Sequence, residues 1–101
     1  MEINAVCSQD KSALIISVNG RFDFSLLKSF EYSYQNIDFE PEFYVIDLKN
    51  SENLDSSALG MLMALREKAE VKSAKVKIIN CNESIKNMLL ITKLNQMFVV
   101  E

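Results

Sequence analysis

The stretch FYVIDLKNSENLDSSALGMLMALREKAE, residues 43–70, holds the two patterns from which the fold is read. Its first six residues, Phe43-Tyr44-Val45-Ile46-Asp47-Leu48, are aromatic, β-branched and apolar at nearly every position, as a central strand covered on both faces would be. Residues 49–55 are polar, and a helix is predicted from Ser56 to Glu70. Advancing about 100° per residue places Ala58, Leu62, Leu65 and Ala69 on one side, flanked by Leu59 and Met61. That side is the core face. Ser56, Gly60, Met63 and Glu67 share a stripe on the other side, where Met63 lies among Arg66, Glu67 and Glu70 and is expected to be exposed.

Working outward, residues 1–8 alternate Met1, Ile3, Ala5 and Cys7 against Glu2, Asn4 and Ser8, with Val6 as the exception. A period of two reads as a strand buried on one face. Gln9-Asp10-Lys11 makes a turn, and Leu14, Ile16 and Val18 alternate again, predicting an antiparallel hairpin ended by Asn19-Gly20. From Phe24, the residues Leu27, Phe30, Tyr34 and Ile37 recur at helical spacing, and Pro41 closes the loop that follows. A strand over Lys75 to Ile79, a helix from Glu83 to about Lys93 and a short strand over Met97 to Val100 complete the chain. The order β-β-α-β-α-β-α-β predicts one α/β domain over residues 1–101. Its sheet is mixed and mostly parallel, of about five strands, with an N-terminal antiparallel hairpin and helices alongside.

Composition narrows the chemistry. The 101 residues are 49% hydrophobic and 25% charged, which suits a self-sufficient globular domain. Net charge is −3 and no basic stripe exists, so nucleic acid is not an expected partner. Apolar runs are far shorter than the roughly 20 residues of a membrane span, and no secretory signal opens the chain. A cytoplasmic protein without membrane insertion is expected. Cys7 and Cys81 lack metal or redox spacing and read as reduced core residues. The chain has no histidine, which removes the usual activated nucleophiles, the commonest general base and the commonest metal ligand. Neither enzymatic activity nor a cofactor or metal is expected.

The decisive loop is Asn53-Leu54-Asp55-Ser56-Ser57-Ala58-Leu59-Gly60. Either Asp55 or Ser56 can cap the helix by accepting from a first-turn N–H. One cap suffices, however, and no Glu or Gln follows three residues later to complete a capping box. An exposed serine at a helix start is also where a phosphate is tolerated by the helix dipole and its free N–H groups. With Gly60, which lets another backbone approach, and the flexible Met63 one turn on, Ser56 would form a docking strip.

Asp55-Ser56-Ser57-Ala58-Leu59-Gly60 resembles the D-S-S-G-L-G signature of STAS domains, the anti-sigma factor antagonists of bacteria. The strand FYVIDL before it and the turn Val18-Asn19-Gly20-Arg21-Phe22-Asp23, similar to the family's first-loop pattern, agree. The resemblance implies a protein that binds an anti-sigma factor while Ser56 is unmodified and releases it once Ser56 is phosphorylated, so that transcription is regulated indirectly by partner switching. Ser57 is the less favoured acceptor. It also implies partners that include a serine phosphatase and an anti-sigma factor that can itself be a serine kinase; together with the helix stripe, the expected docking residues are Asp23, Asp55, Ser56, Ser57, Gly60, Met63 and Glu67. Ala58 stands where the family has glycine, which adds a methyl on the core face, and the helix that ends many family members is not expected here. An alternative role is an accessory subunit that packs against the ATPase of an ABC-type lipid transporter, which needs the helix surface but no phosphorylated serine.

Overall fold

A computed structural model describes residues 2–101. Among these residues seven strands and three α-helices follow one another: β1 (Ile3–Cys7), β2 (Ala13–Val18), β3 (Gly20–Phe22), α1 (Leu27–Gln35), β4 (Phe43–Asp47), β5 (Ser51–Leu54), α2 (Ser56–Val71), β6 (Lys75–Ile79), α3 (Glu83–Ile91) and β7 (Val99–Val100). The main sheet has the order β1-β2-β4-β6-β7, antiparallel at β1-β2 and parallel elsewhere. The expected hairpin and the central place of FYVIDL are therefore both present.

Parallel register aligns the core in rows. Leu14, Tyr44 and Val76 lie side by side across β2, β4 and β6, and so do Ile16, Ile46 and Ile78. All are buried, and Phe30 and Tyr34 of α1, Leu62, Leu65 and Ala69 of α2, and Ile85 and Leu89 of α3 join them in a single cluster. Each fully buried side chain of this size contributes on the order of 1.5–3 kcal/mol relative to exposure. The core face expected for α2 is thus the observed one, with Ala58 and Met61 also buried and Leu59 half-buried.

Three expectations are corrected. The central strand is sealed on one face only: Phe43, Val45 and Asp47 alternate with the buried set and stay half-buried, as do Ile15 and Lys77 beside Val45. β-Branched and aromatic residues suit such a half-covered sheet as well as a fully covered one. Cys7 is exposed, and β1 as a whole is exposed apart from half-buried Ile3, because it is the edge strand of the sheet. Cys81, by contrast, is buried, and burial raises its thiol pKa. Helical spacing from Phe24 resolves into a 3-10 turn over Phe24–Leu26 followed by α1, which stops at Gln35, short of Ile37.

A second, two-stranded sheet pairs β3 with β5, two segments read from sequence as a turn and a polar loop. Three contacts hold this ribbon. Gly20, at φ +81, turns the chain out of β2 and its N–H donates to the Asn50 carbonyl at 2.8 Å. Ser51 is buried, and its hydroxyl donates to the Val18 carbonyl. The Asn82 side-chain amide donates to the carbonyls of Ser51 (3.3 Å) and Glu52 (2.9 Å), while its Oδ1 caps α3 by accepting from the Ile85 N–H at 2.8 Å. Replacing Asn82 by Ala removes a cap and a bridge together. The expected loss is about 1–2 kcal/mol in denaturant titration, with faster amide exchange concentrated in β5 and the first turn of α3.

Candidate functional site

The ribbon delivers two helix starts side by side. Phe22 pairs with Leu54 at its end, and the next residue on each strand is an aspartate. The Asp55 N–H donates back to the Phe22 carbonyl at 3.3 Å, tying the two exits together. Both aspartates have extended backbones and cap the turn that follows. Asp55 accepts from the Ala58 N–H at 2.9 Å and so caps α2, which decides between Asp55 and Ser56. Asp23 accepts from the Ser25 N–H at 3.0 Å and from the Ser25 hydroxyl. Those two hydrogen bonds hold its carboxyl below the ordinary carboxylate pKa, so Asp23 is anionic throughout the neutral range. Asp55→Ala is expected to cost about 1 kcal/mol in thermal unfolding, the usual worth of an N-cap.

With capping assigned to Asp55, Ser56 is the first residue of α2 and is exposed, whereas Ser57 is half-buried and Ala58 has no exposure. The methyl of Ala58 is absorbed into the core, as its place on the core face predicts. Gly60 is exposed one turn on, and a Cβ built there meets nothing within 4 Å. The fold itself does not require glycine at this position, and glycine in a helix interior costs roughly 0.5–1 kcal/mol relative to alanine.

Asp23, Asp55, Ser56 and Gly60 thus form one surface, with Ser57 at its buried margin. Met63 does not extend it. The methionine is half-buried and packs against the core, contrary to expectation. A helical wheel takes no account of the chain that returns after α3: Arg66, on the same flank, is half-buried and its Nε donates to the Met97 carbonyl at 2.8 Å while its guanidinium pairs with Glu70. Glu67 is exposed, but at 11 residues from Ser56 it lies about 16 Å further along the axis. Reasoning from sequence missed Phe24. It sits between Asp23 and Ser25 with 64% of its surface exposed, a large aromatic on the rim of the same site. The helical series read from the sequence begins at Phe24 and assigns it no face. The signal that could have found it is that Phe22 and Leu26 on either side already point inward and are buried.

Among the described residues no group of three or more His, Cys, Asp or Glu could hold a metal ion, and no helix is long and apolar enough to cross a membrane. The surface offers two capped helix starts, two carboxylates, two hydroxyls, an aromatic ring and a bare stretch of helix. Together they make an exposed surface at one end of a small mixed α/β domain.

Residues 4–101 match the family model of the STAS domain, and the chain belongs to that family. A STAS-domain-containing protein of Pseudomonas aeruginosa (strain UCBPP-PA14) is 39% identical over 100 residues, covering 99% of each chain. Among solved structures, an anti-sigma factor antagonist from Mycobacterium paratuberculosis superposes with a TM-score of 0.75 at 22% identity, over 97% of this chain and 84% of that one. A sulfate transporter family protein from Wolinella succinogenes superposes with a TM-score of 0.80 at 14% identity, over 94% and 80%. At such identities these two likenesses show the fold.

Proposed function

We propose that this chain is an anti-sigma factor antagonist whose docking surface is switched by phosphorylation of Ser56. The observation that carries the reading is that Ser56 is exposed at the start of α2, directly after the capping Asp55, whose strand pairs with the one that leads to Asp23, and one turn before the exposed Gly60. Unmodified, the surface is small, carries an aromatic anchor in Phe24 and admits close approach of a partner backbone at Gly60. A phosphate on Ser56 adds about −1.5 to −2 charges near the carboxylates of Asp55 and Asp23. It also places a bulky, strongly hydrated group where the partner must sit. The anti-sigma factor then has to desolvate clustered negative charge, and release follows. No catalysis by this chain enters the mechanism; a serine kinase and a serine phosphatase act on it from outside, in the cytoplasm.

The test is a pull-down with unmodified and Ser56-phosphorylated protein, read by mass spectrometry. An anti-sigma factor retained by the unmodified form and lost from the phosphorylated form is the expected result. Retention of a transporter ATPase by both forms would overturn it and assign the α2 surface to a transport complex instead. That second role draws on the same helix face and on the sharing of this fold with a sulfate transporter family protein.

A further inference from the structure

The edge strand β1 carries a pattern that the single domain does not use. Ile3, Ala5 and Cys7 alternate as in a strand buried on one face, yet Ala5 and Cys7 are exposed, and Val6 on the other face is 50% exposed. Its backbone is half-paired as well. The Glu2 carbonyl accepts from the Asn19 N–H at 2.7 Å and the Ser8 N–H donates to the Ala13 carbonyl at 2.9 Å, so the even-numbered residues face β2 in the antiparallel register. The N–H and C=O groups of Ile3, Ala5 and Cys7 therefore point away from the sheet. Natural edges are blunted by lysine, proline, a bulge or brevity. β1, with the sequence INAVC, has none of these, and the opposite edge, β7, is only two residues long. Beside β1 runs a groove of about 620 Å³ between Ile3 and Ala5 on one side and, on the other, Lys28 and Tyr32 of α1 with Asn36 just past its end; Tyr32 is 72% exposed.

We infer that β1 is the interface of a twofold-symmetric dimer, in which a second copy of this chain pairs its own β1 antiparallel to the first, with the axis through Ala5. The self-complementarity of the strand selects a second copy over other occupants. With the axis at Ala5, Ala5 faces Ala5 of the second copy and Ile3 faces its Cys7, so every outward backbone group of the strand finds a partner. An axis at Ile3 or at Cys7 leaves part of the strand unpaired. In the Ala5 register Glu2 falls opposite the uncharged Ser8, so no like charges are directly opposed along the paired strands. Val6 lies diagonally across from Val6 of the second copy on the open face, within side-chain reach. On the other face Ile3, Ala5 and Cys7 meet their counterparts beneath Tyr32 of each α1. The alternation in the sequence of β1 is then satisfied by burial between chains, and the main sheet runs continuously through both.

Sedimentation equilibrium of the full chain from about 1 µM to 1 mM tests this. The expected result is a mass that rises with concentration from 11.5 kDa toward twice that value. Ala5→Pro removes an outward N–H and no bond to β2, and edge strands accept proline, so it should keep the fold by circular dichroism and sediment as a monomer. In a Cys7→Ser background, Ala5→Cys should give an oxidised dimer, since directly opposed residues of this kind stand about 5.5 Å apart at Cα, within disulfide range. Asn4→Cys in the same background should not. A wild-type chain that stays monomeric across the range overturns the inference, and so does a dimer that survives Ala5→Pro or cross-links equally through position 4.

Discussion

Ser56→Asp should bind the anti-sigma factor at least a hundredfold more weakly than Ser56→Ala, measured by titration calorimetry with the purified partner. A hundredfold loss corresponds to about 2.8 kcal/mol, well within what crowding one more unpaired carboxylate into a desolvated interface costs. The neighbours make the cost hard to escape. Asp55 is committed to capping α2 and Asp23 is held by Ser25, so neither side chain is free to rotate away and make room. A phosphoserine should exceed the aspartate, because it carries more charge and more bulk. Equal affinities for the two variants would remove Ser56 from the switch. Continued phosphorylation of Ser56→Ala by the cognate kinase would move the acceptor to Ser57.

The second large effect is a dissociation of stability from binding at Gly60. Gly60→Ala should raise stability by roughly 0.5–1 kcal/mol, because the helix loses a flexible residue and the new methyl meets nothing within 4 Å. Gly60→Leu should fold at least as well as wild type for the same reason. Its side chain would stand where the partner backbone approaches, and affinity should fall tenfold or more. A Gly60→Leu protein that melts no lower than wild type yet fails to bind places the partner over this turn of α2. Wild-type affinity for Gly60→Leu would place it elsewhere.

Much of this architecture was legible in the sequence because long periodic segments leave little choice. α2 shows its buried face over four turns, and FYVIDL is too apolar and β-branched for anything but a strand near the centre of the sheet. The ribbon of β3 and β5 was not legible. Ser51-Glu52-Asn53-Leu54 has no alternating pattern and little strand propensity, and it is made a strand by contacts from Val18 and Asn82, each 30 or more residues away. The same distance hid the tie on the flank of α2, where Arg66 Nε donates to the Met97 carbonyl. At the site, the acid and the serines could be read from their motif, but the division of labour between Asp55 as cap and Ser56 as free hydroxyl required the backbone. Phe24 required knowing that Phe22 and Leu26 already fill the space below.

The grip of Asn82 on the ribbon bears on timing. Both strands that present the site are fixed to the body of the domain before any partner arrives, and the two helix starts are capped from within. Binding then needs no ordering of loops, so association should proceed at rates set by diffusion and orientation, with changes in affinity appearing as changes in residence time. A device meant to hand one partner over for another gains from this rigidity. The state of one hydroxyl can be sampled at each encounter, without waiting for the chain to rearrange.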